Sequence, residues 1–317
     1  MNIPQDINLS KQKKHLRFEK SVAEEFGFAD FGKAIIYPFK FRTSLVYCAT
    51  IFLFLMLGQS VLAFGTSTYF AALVCFVPAN ALFFVCLINT IKNFSQGRTN
   101  SDFIPNFNEF ALWDDVIHPF LLSLAVYFIS FGMLIVLIVG AVWYASGAES
   151  KIEADKQKII SVVLPNSQTE VGKNTVAVKQ DFFQTAGTIM RLSLVFSVPI
   201  FLALLWGIFY FPVACAIAGF TGSFAAIVNP LIGFDTVKRL GWDYLKIILM
   251  FLILVASLLG LSAILQTIFS PFDLPFLGNL PVKAVVSLFA FYFSIVFSVF
   301  LGLTLFKNSA RLKFRRV

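Results

Sequence analysis

The sequence predicts an all-α integral membrane protein of about six transmembrane helices, arranged as three hairpin units with interfacial amphipathic lead-ins. Three observations predict it. Of the 317 residues, 58% are hydrophobic and only 13% charged, with a mean hydropathy of +0.82; soluble domains carry about 25% charged residues. Apolar runs recur at the length of about 20 residues that a helix needs to span the hydrocarbon core. A unit also recurs, most fully over 204–246: apolar helix, proline break, short polar turn with basic residues, then Trp-Asp leading into the next apolar run.

Taken in order, residues 1–43 are a basic cytoplasmic tail and an interfacial helix. Lys11, Lys13, Lys14, Arg17 and Lys20 crowd the tail. Val22, Phe26, Ile35, Ile36 and Phe39 then alternate with Glu24, Glu25, Asp30 and Lys33, the pattern of a helix lying in the membrane surface and ending at Tyr37-Pro38. No signal peptide is expected, because no apolar core precedes Ser44. The polytopic domain is 44–306. Its first hairpin pairs 44–64 with 69–91, joined by the tight turn Gly65-Thr66-Ser67-Thr68. Lys92 and Arg98 mark a cytoplasmic joint, and 103–118 is the second lead-in, before the crossing 119–144.

Residues 145–187 read as the outer loop. Five acids balance five cations there, and 159–164 and 175–178 are β-prone around a Pro-Asn-Ser and Gly-Lys-Asn turn, which suggests a small ribbon. The apolar stretch 188–234 is too long for one crossing at 1.5 Å per residue. Arg191 and Pro199 are read as its breaks, leaving one crossing over 201–228. Residues 229–244 form the third lead-in, 245–269 and 283–306 the last hairpin, and 307–317 a basic cytoplasmic tail. This arrangement keeps 18 of the 25 Lys and Arg residues on one side, as retention of cations in the cytoplasm requires. It puts both termini there, with the bacterial inner membrane as the default compartment.

The +8 net charge is accounted for by these joints and tails, which favour a bilayer with anionic headgroups over nucleic acid. Cys48, Cys75, Cys86 and Cys215 all lie in apolar runs and read as buried thiols. No metal site, cofactor fingerprint or nucleophile motif is found, and no ionisable residue sits within a crossing, where proton relays and intramembrane proteases need one. The protein is therefore not expected to be an enzyme. The 40 Phe residues read as lipid-facing bulk. Asp114, Asp115, Asp235 and Asp243 stand where carboxylates favour helix N-termini, and Trp113, Trp242 and Tyr244 fit an interfacial aromatic belt.

Two sets of residues stand out as candidate sites. Ala214, Ala218 and Gly222 form a small-residue stripe for close helix packing, within the chain or in a homo-oligomer. Pro78, Asn80, Pro212 and Asn229 could line a cavity between repeats, since Phe76-Val-Pro78-Ala-Asn-Ala81 echoes Phe211-Pro212-Val-Ala-Cys-Ala216.

On FGKAIIYPFKF before the first crossing, IFYFPVACAIAGFTGSFAAIVNP and the following FDTVKRLGWDYL, the chain resembles a bacterial family of polytopic membrane proteins that is loosely similar to the Yip-type membrane domain. The resemblance covers most of 28–306 and implies a helical membrane fold without an assigned activity, with a role in membrane organisation or trafficking. Two functions are carried forward. One is a non-enzymatic scaffold or subunit in membrane organisation, with a membrane-protein partner or a second copy. The other is a transporter or permease component with a cavity at the four residues above.

Overall fold

A computed structural model describes residues 27–62, 69–104, 111–163, 174–274 and 277–312. The basic tail, the 65–68 turn, the middle of the second lead-in, both turn motifs of the 145–187 stretch and residues 313–317 lie outside them. The described chain is helical but for one two-residue hairpin. Six of its helices carry stretches long and apolar enough to cross a membrane: Arg42–Leu62, Ala72–Ser95, His118–Tyr144, Phe196–Thr221, Trp242–Ile268 and Leu280–Lys307. The expected fold class holds: this is a multi-pass helical membrane protein.

Helix α1 (Phe28–Lys40) starts where the Asp30 carboxylate accepts the Gly27 N–H at 3.1 Å, satisfying a donor that the helix leaves open at its first turn. It runs past Pro38 to Lys40 rather than ending there, because a proline this near the C-terminus disturbs only the final turn. Helices α2 (Arg42–Leu62) and α3 (Tyr69–Ser95) form the first antiparallel hairpin. Phe52 packs its ring on Phe83, and further out Gly58 passes so close to Cys75 that a Cβ there would lie 2.9 Å from its Sγ.

Trp113–Ile117 is wound as a π-helix, the His118 N–H reaching back to the Trp113 carbonyl. The following residue, Pro119, has no N–H to continue an ordinary turn, and the wider turn absorbs that loss. Helices α4 (His118–Val163) and α5 (Asn174–Thr221) follow. The β-ribbon expected around 159–164 and 175–178 is absent: both segments, as far as described, are helix, continuous with the flanking crossings. Short-range β-propensity lost to propagation, which adds one hydrogen bond for each residue fixed once a long helix exists.

The stretch 188–234 makes one crossing, as expected, but its breaks are elsewhere. Helix α5 runs through Arg191 and Pro199 without interruption; within lipid a proline bends a helix more readily than it ends one, because an unpaired backbone is so costly there. The chain turns instead at Gly222, whose φ of +59° suits a residue without a Cβ. Two short helices follow, α6 (Phe224–Val228) and α7 (Pro230–Leu240), then α8 (Trp242–Ile268). Strands β1 (Asp273–Leu274) and β2 (Gly278–Asn279) close the turn between α8 and α9 (Leu280–Lys307), and Asn279 caps α9 by accepting the Val282 N–H at 3.2 Å. A last turn, α10, spans Ser309–Leu312.

The chain divides into two compact units, residues 128–209 and the remainder. In the larger one α9 is the axis. It touches α1, α2, α3 and α8, and every residue from Ser294 to Phe306 is buried. Its close approach to α3 rests on Gly302, where a Cβ would fall 2.5 Å from the Phe94 Cβ and 3.1 Å from the Ile91 carbonyl. On the other side of Ile91 lies Gly219 of α5, equally close at 2.5 Å. Phenylalanine does more than face lipid. Phe211 packs against Tyr127, Phe251 and Phe297, and Phe84, Phe103 and Phe291 are fully buried.

The smaller unit is a helical hairpin. Trp206 donates its indole N–H to the Ile129 carbonyl at 3.1 Å, Gly207 lets the Phe131 ring lie against its backbone, and Tyr144 meets Phe196.

Candidate functional site

Polar chemistry concentrates where α1, α7, α8 and α9 end or begin. Asp30 enters it as a first-turn carboxylate, which the helix dipole favours. Lys307, the last residue of α9, reaches it with Nζ 2.6 Å from Oδ2, and Lys33 lies 3.3 Å from Oδ1. The Asp30 and Lys307 side chains are 2% and 8% exposed, so this ion pair is almost dry. Burial alone pushes the Asp30 carboxyl up; the Lys307 and Gly27 hydrogen bonds, the Lys307 charge and Lys33 outweigh it and hold it below its ordinary value. Such a pair adds little stability over apolar neighbours, but removing one partner strands the other charge. It therefore fixes where α1 sits. The rest of α1 follows α9: Phe31 meets Phe300, the Ile35 carbonyl accepts the Tyr292 hydroxyl at 2.9 Å, and Phe39 meets Tyr292.

One residue further, buried Asn308 donates to Asp243 Oδ2 at 2.9 Å and to the Thr304 carbonyl at 3.1 Å, closing the C-terminus of α9 and tying it to the start of α8. Asp243 also takes Lys246 at 2.8 Å. On α7, Arg239 pairs with Asp235 at 2.7 Å and extends a second nitrogen to the Leu312 carbonyl at 3.4 Å. Asp243 holds a cation from the first turn of α8, whereas Asp235 sits in mid-helix on α7 rather than at a helix start and is placed there by its ion pair. Of the cations after Phe306, Lys307 is committed to a carboxylate inside the protein.

A second polar knot is built from the loop after α3. Tyr37 donates to the Ser101 carbonyl at 2.5 Å, Ser44 donates to the Asp102 carboxylate, and Asn89 donates to the Phe103 carbonyl at 3.0 Å. Asn93 bridges Asn89 and the Asp102 carbonyl. These bonds let Phe103 drop fully buried against Phe291. Burial, with the Asp102 charge behind it, pushes the Tyr37 phenol well above its ordinary range, so it stays a donor.

The residues singled out from sequence fall as follows. Ala214 and Ala218 are buried in α5. Gly222 does not extend their stripe: it lies just past the helix end, with no atom within 4 Å of where a Cβ would stand. Gly219, one residue beyond Ala218, lies against Ile91 of α3. Pro212 is buried and Pro78 half-buried. Asn80 donates to the Phe76 carbonyl of its own helix at 3.0 Å, and exposed Asn229 caps α7 by accepting the Leu231 N–H at 3.0 Å. Neither amide bonds to the other. Cys48, Cys86 and Cys215 are buried and Cys75 half-buried, all as free thiols. Among the described residues no three His, Cys, Asp or Glu side chains group as metal ligands would.

Sequence reasoning missed the Asp30–Lys307 pair, whose partners are 277 residues apart. The one signal was an acid on the apolar side of α1, beside Ala34 and Tyr37. No family model, curated protein or solved structure matches the chain.

Proposed function

We propose that the protein is a non-enzymatic membrane scaffold or subunit of the bacterial inner membrane, with both termini cytoplasmic, and that its paired helices α4 and α5 are the arm that meets a partner. The length of that pair carries the reading. At 1.5 Å per residue the 46 residues of α4 and 48 of α5 are each about 70 Å long, more than twice the ~30 Å hydrocarbon core. The polar stretch that separates their apolar runs is itself helical over 145–163 and 174–187. Both helices therefore continue beyond the part that lipid requires. A helix outside the membrane gains its stability mainly from packing an apolar face on something else. The resemblance to the Yip-type membrane domain, which implies a role in membrane organisation, is compatible with this role.

The commitment of Asn80 and Asn229 to their own backbones weighs against the transporter reading, which needs those amides free to meet a solute. The buried side-chain hydroxyls of α9 do the same: Ser287, Ser294, Ser298 and Thr304 each bond a carbonyl of their own helix.

The test separates the two. A variant lacking 148–190 should still insert, yet lose the protein that copurifies with the full chain from native membranes. In reconstituted vesicles Asn80→Leu and Asn229→Leu should leave both scrambling of a fluorescent-headgroup lipid and leakage of a small dye at the level of the parent. A flux that the parent supports and either variant abolishes would replace the scaffold by the transporter.

A further inference from the structure

We propose that α7 rests on the bilayer surface with its outer face among the acyl chains, and that Lys238 binds the headgroup phosphate of an anionic phospholipid there. The inference stands apart from the docking arm and survives its failure.

Helix α7 connects the span that ends at Thr221 to the span that begins at Trp242, so it lies at the mouth of two crossings. One side is fixed to protein. Gly233, Thr236 and Leu240 are buried, and Gly233 approaches Tyr210 so closely that a Cβ would lie 2.5 Å from the phenol oxygen. The opposite side is exposed and largely apolar: Leu231 is 74% exposed, Phe234 47%, and Trp242 at the next helix start 81%. Facing water, this would be a costly patch. Continuous with two membrane spans and edged by an indole, it has the composition of an interfacial helix.

The charges select the lipid. Asp235 is held by Arg239, Asp243 by Lys246 and Asn308, and Asp30 by Lys307 and Lys33. These three carboxylates are thus occupied. Lys238 is exposed on α7 and has no carboxylate partner among the described residues. A cation beside an apolar face and an interfacial Trp is complementary to a phosphate that carries no compensating amine, the headgroup of phosphatidylglycerol and related lipids.

The experiment is backbone hydrogen exchange over 230–240, with the full chain in nanodiscs of phosphatidylcholine with and without phosphatidylglycerol. Anionic lipid is expected to slow exchange by about fivefold, the effect of one cation at a charged surface. Lys238→Gln should abolish that difference, and Phe234→Ser should speed exchange in both lipids. Equal exchange in the two lipids for the parent, or a difference that persists in Lys238→Gln, would overturn the headgroup site. Exchange as fast as that of an exposed peptide in every bilayer would overturn the surface placement itself.

Discussion

Helices α8 and α9 are neighbours in one hairpin, similar in length, and α8 is the more apolar of the two. Yet 17% of the most apolar stretch of α8 is buried within the protein, against 56% of that of α9. In lipid, apolarity sends a helix into the membrane and then stops discriminating, because a neighbouring helix is no more apolar than an acyl chain. What sends α9 to the centre is the fit of its surface. The contrast is sharpest at two glycines. At Gly302 of α9 a Cβ would collide with Phe94 and the Ile91 backbone; at Gly260 of α8 it would meet nothing within 4 Å.

The largest effect is expected where that fit is tightest. Gly302→Leu has to separate α9 from α3, because one obstacle is backbone and cannot swing aside. Its cost should lie at or above the top of the ~1–3 kcal/mol range for overpacking. Thermal unfolding in detergent micelles followed by a thiol-reactive dye measures this directly, since Cys48, Cys86 and Cys215 are buried until the bundle opens. Should Gly302→Leu unfold at the parent's temperature, α9 would not be the axis.

Next in size is the pair that holds α1 on α9. Asp30→Ala leaves Lys307 without its nearest carboxylate. Breaking a buried pair costs about 3–5 kcal/mol, reduced here to roughly 1–3 because the lysine stem at a helix end can carry its charge to water. The double variant Asp30→Ala with Lys307→Met should recover much of the loss, and a cycle over the four proteins gives the coupling. A coupling of zero would mean that the rings of Phe31 and Phe39 and the Tyr292 and Tyr37 hydrogen bonds seat α1 without the ion pair.

The same pair sets a smaller, pH-dependent effect. The Asp30 carboxyl is held below its ordinary value of 3.8 in the folded protein. Its contribution is therefore complete above that value and is lost as pH falls through the lower folded one. The unfolding temperature, followed here by intrinsic tryptophan fluorescence, should be flat across neutral and mildly acidic pH on this account and should fall below about pH 4. Asp30→Ala should lack that acid limb, whereas a limb that persists in it belongs to another carboxylate.

These contrasts also mark what was legible in the sequence. The three hairpins were, because a span is a matter of length and composition, read locally. So was a single helix in 188–234 long and apolar enough to cross, expected because two would separate Lys238, Arg239, Lys246 and the C-terminal cations from the other basic joints. The break points were not: Pro199 is the stronger local signal, but the cost of unpaired backbone in lipid overrides it, and the chain waits for Gly222. Which small residues touch a neighbour was not legible either. Ala214, Ala218 and Gly222 satisfy the spacing, but Gly222 stands clear while its near neighbour Gly219 meets Ile91, because contact depends on where a partner 128 residues away presents its side chain. Asp30 and Lys307 were invisible as a pair for the same reason.

The smallest expected effect is the control that gives the comparison its force. Gly260 has helical neighbours of its own and no atom from elsewhere within reach of a Cβ, so Gly260→Leu places a side chain in lipid. The substitution removes the helix-weakening character of glycine, worth up to ~1 kcal/mol in water and less in a bilayer, and encounters no protein atom. The unfolding temperature should therefore stay level or rise slightly. A loss comparable to that of Gly302→Leu would mean that this face of α8 is covered in the membrane by another helix. Elution size would then test for a second copy: a shift to a smaller species in Gly260→Leu identifies a homo-oligomer whose seam runs past Gly260.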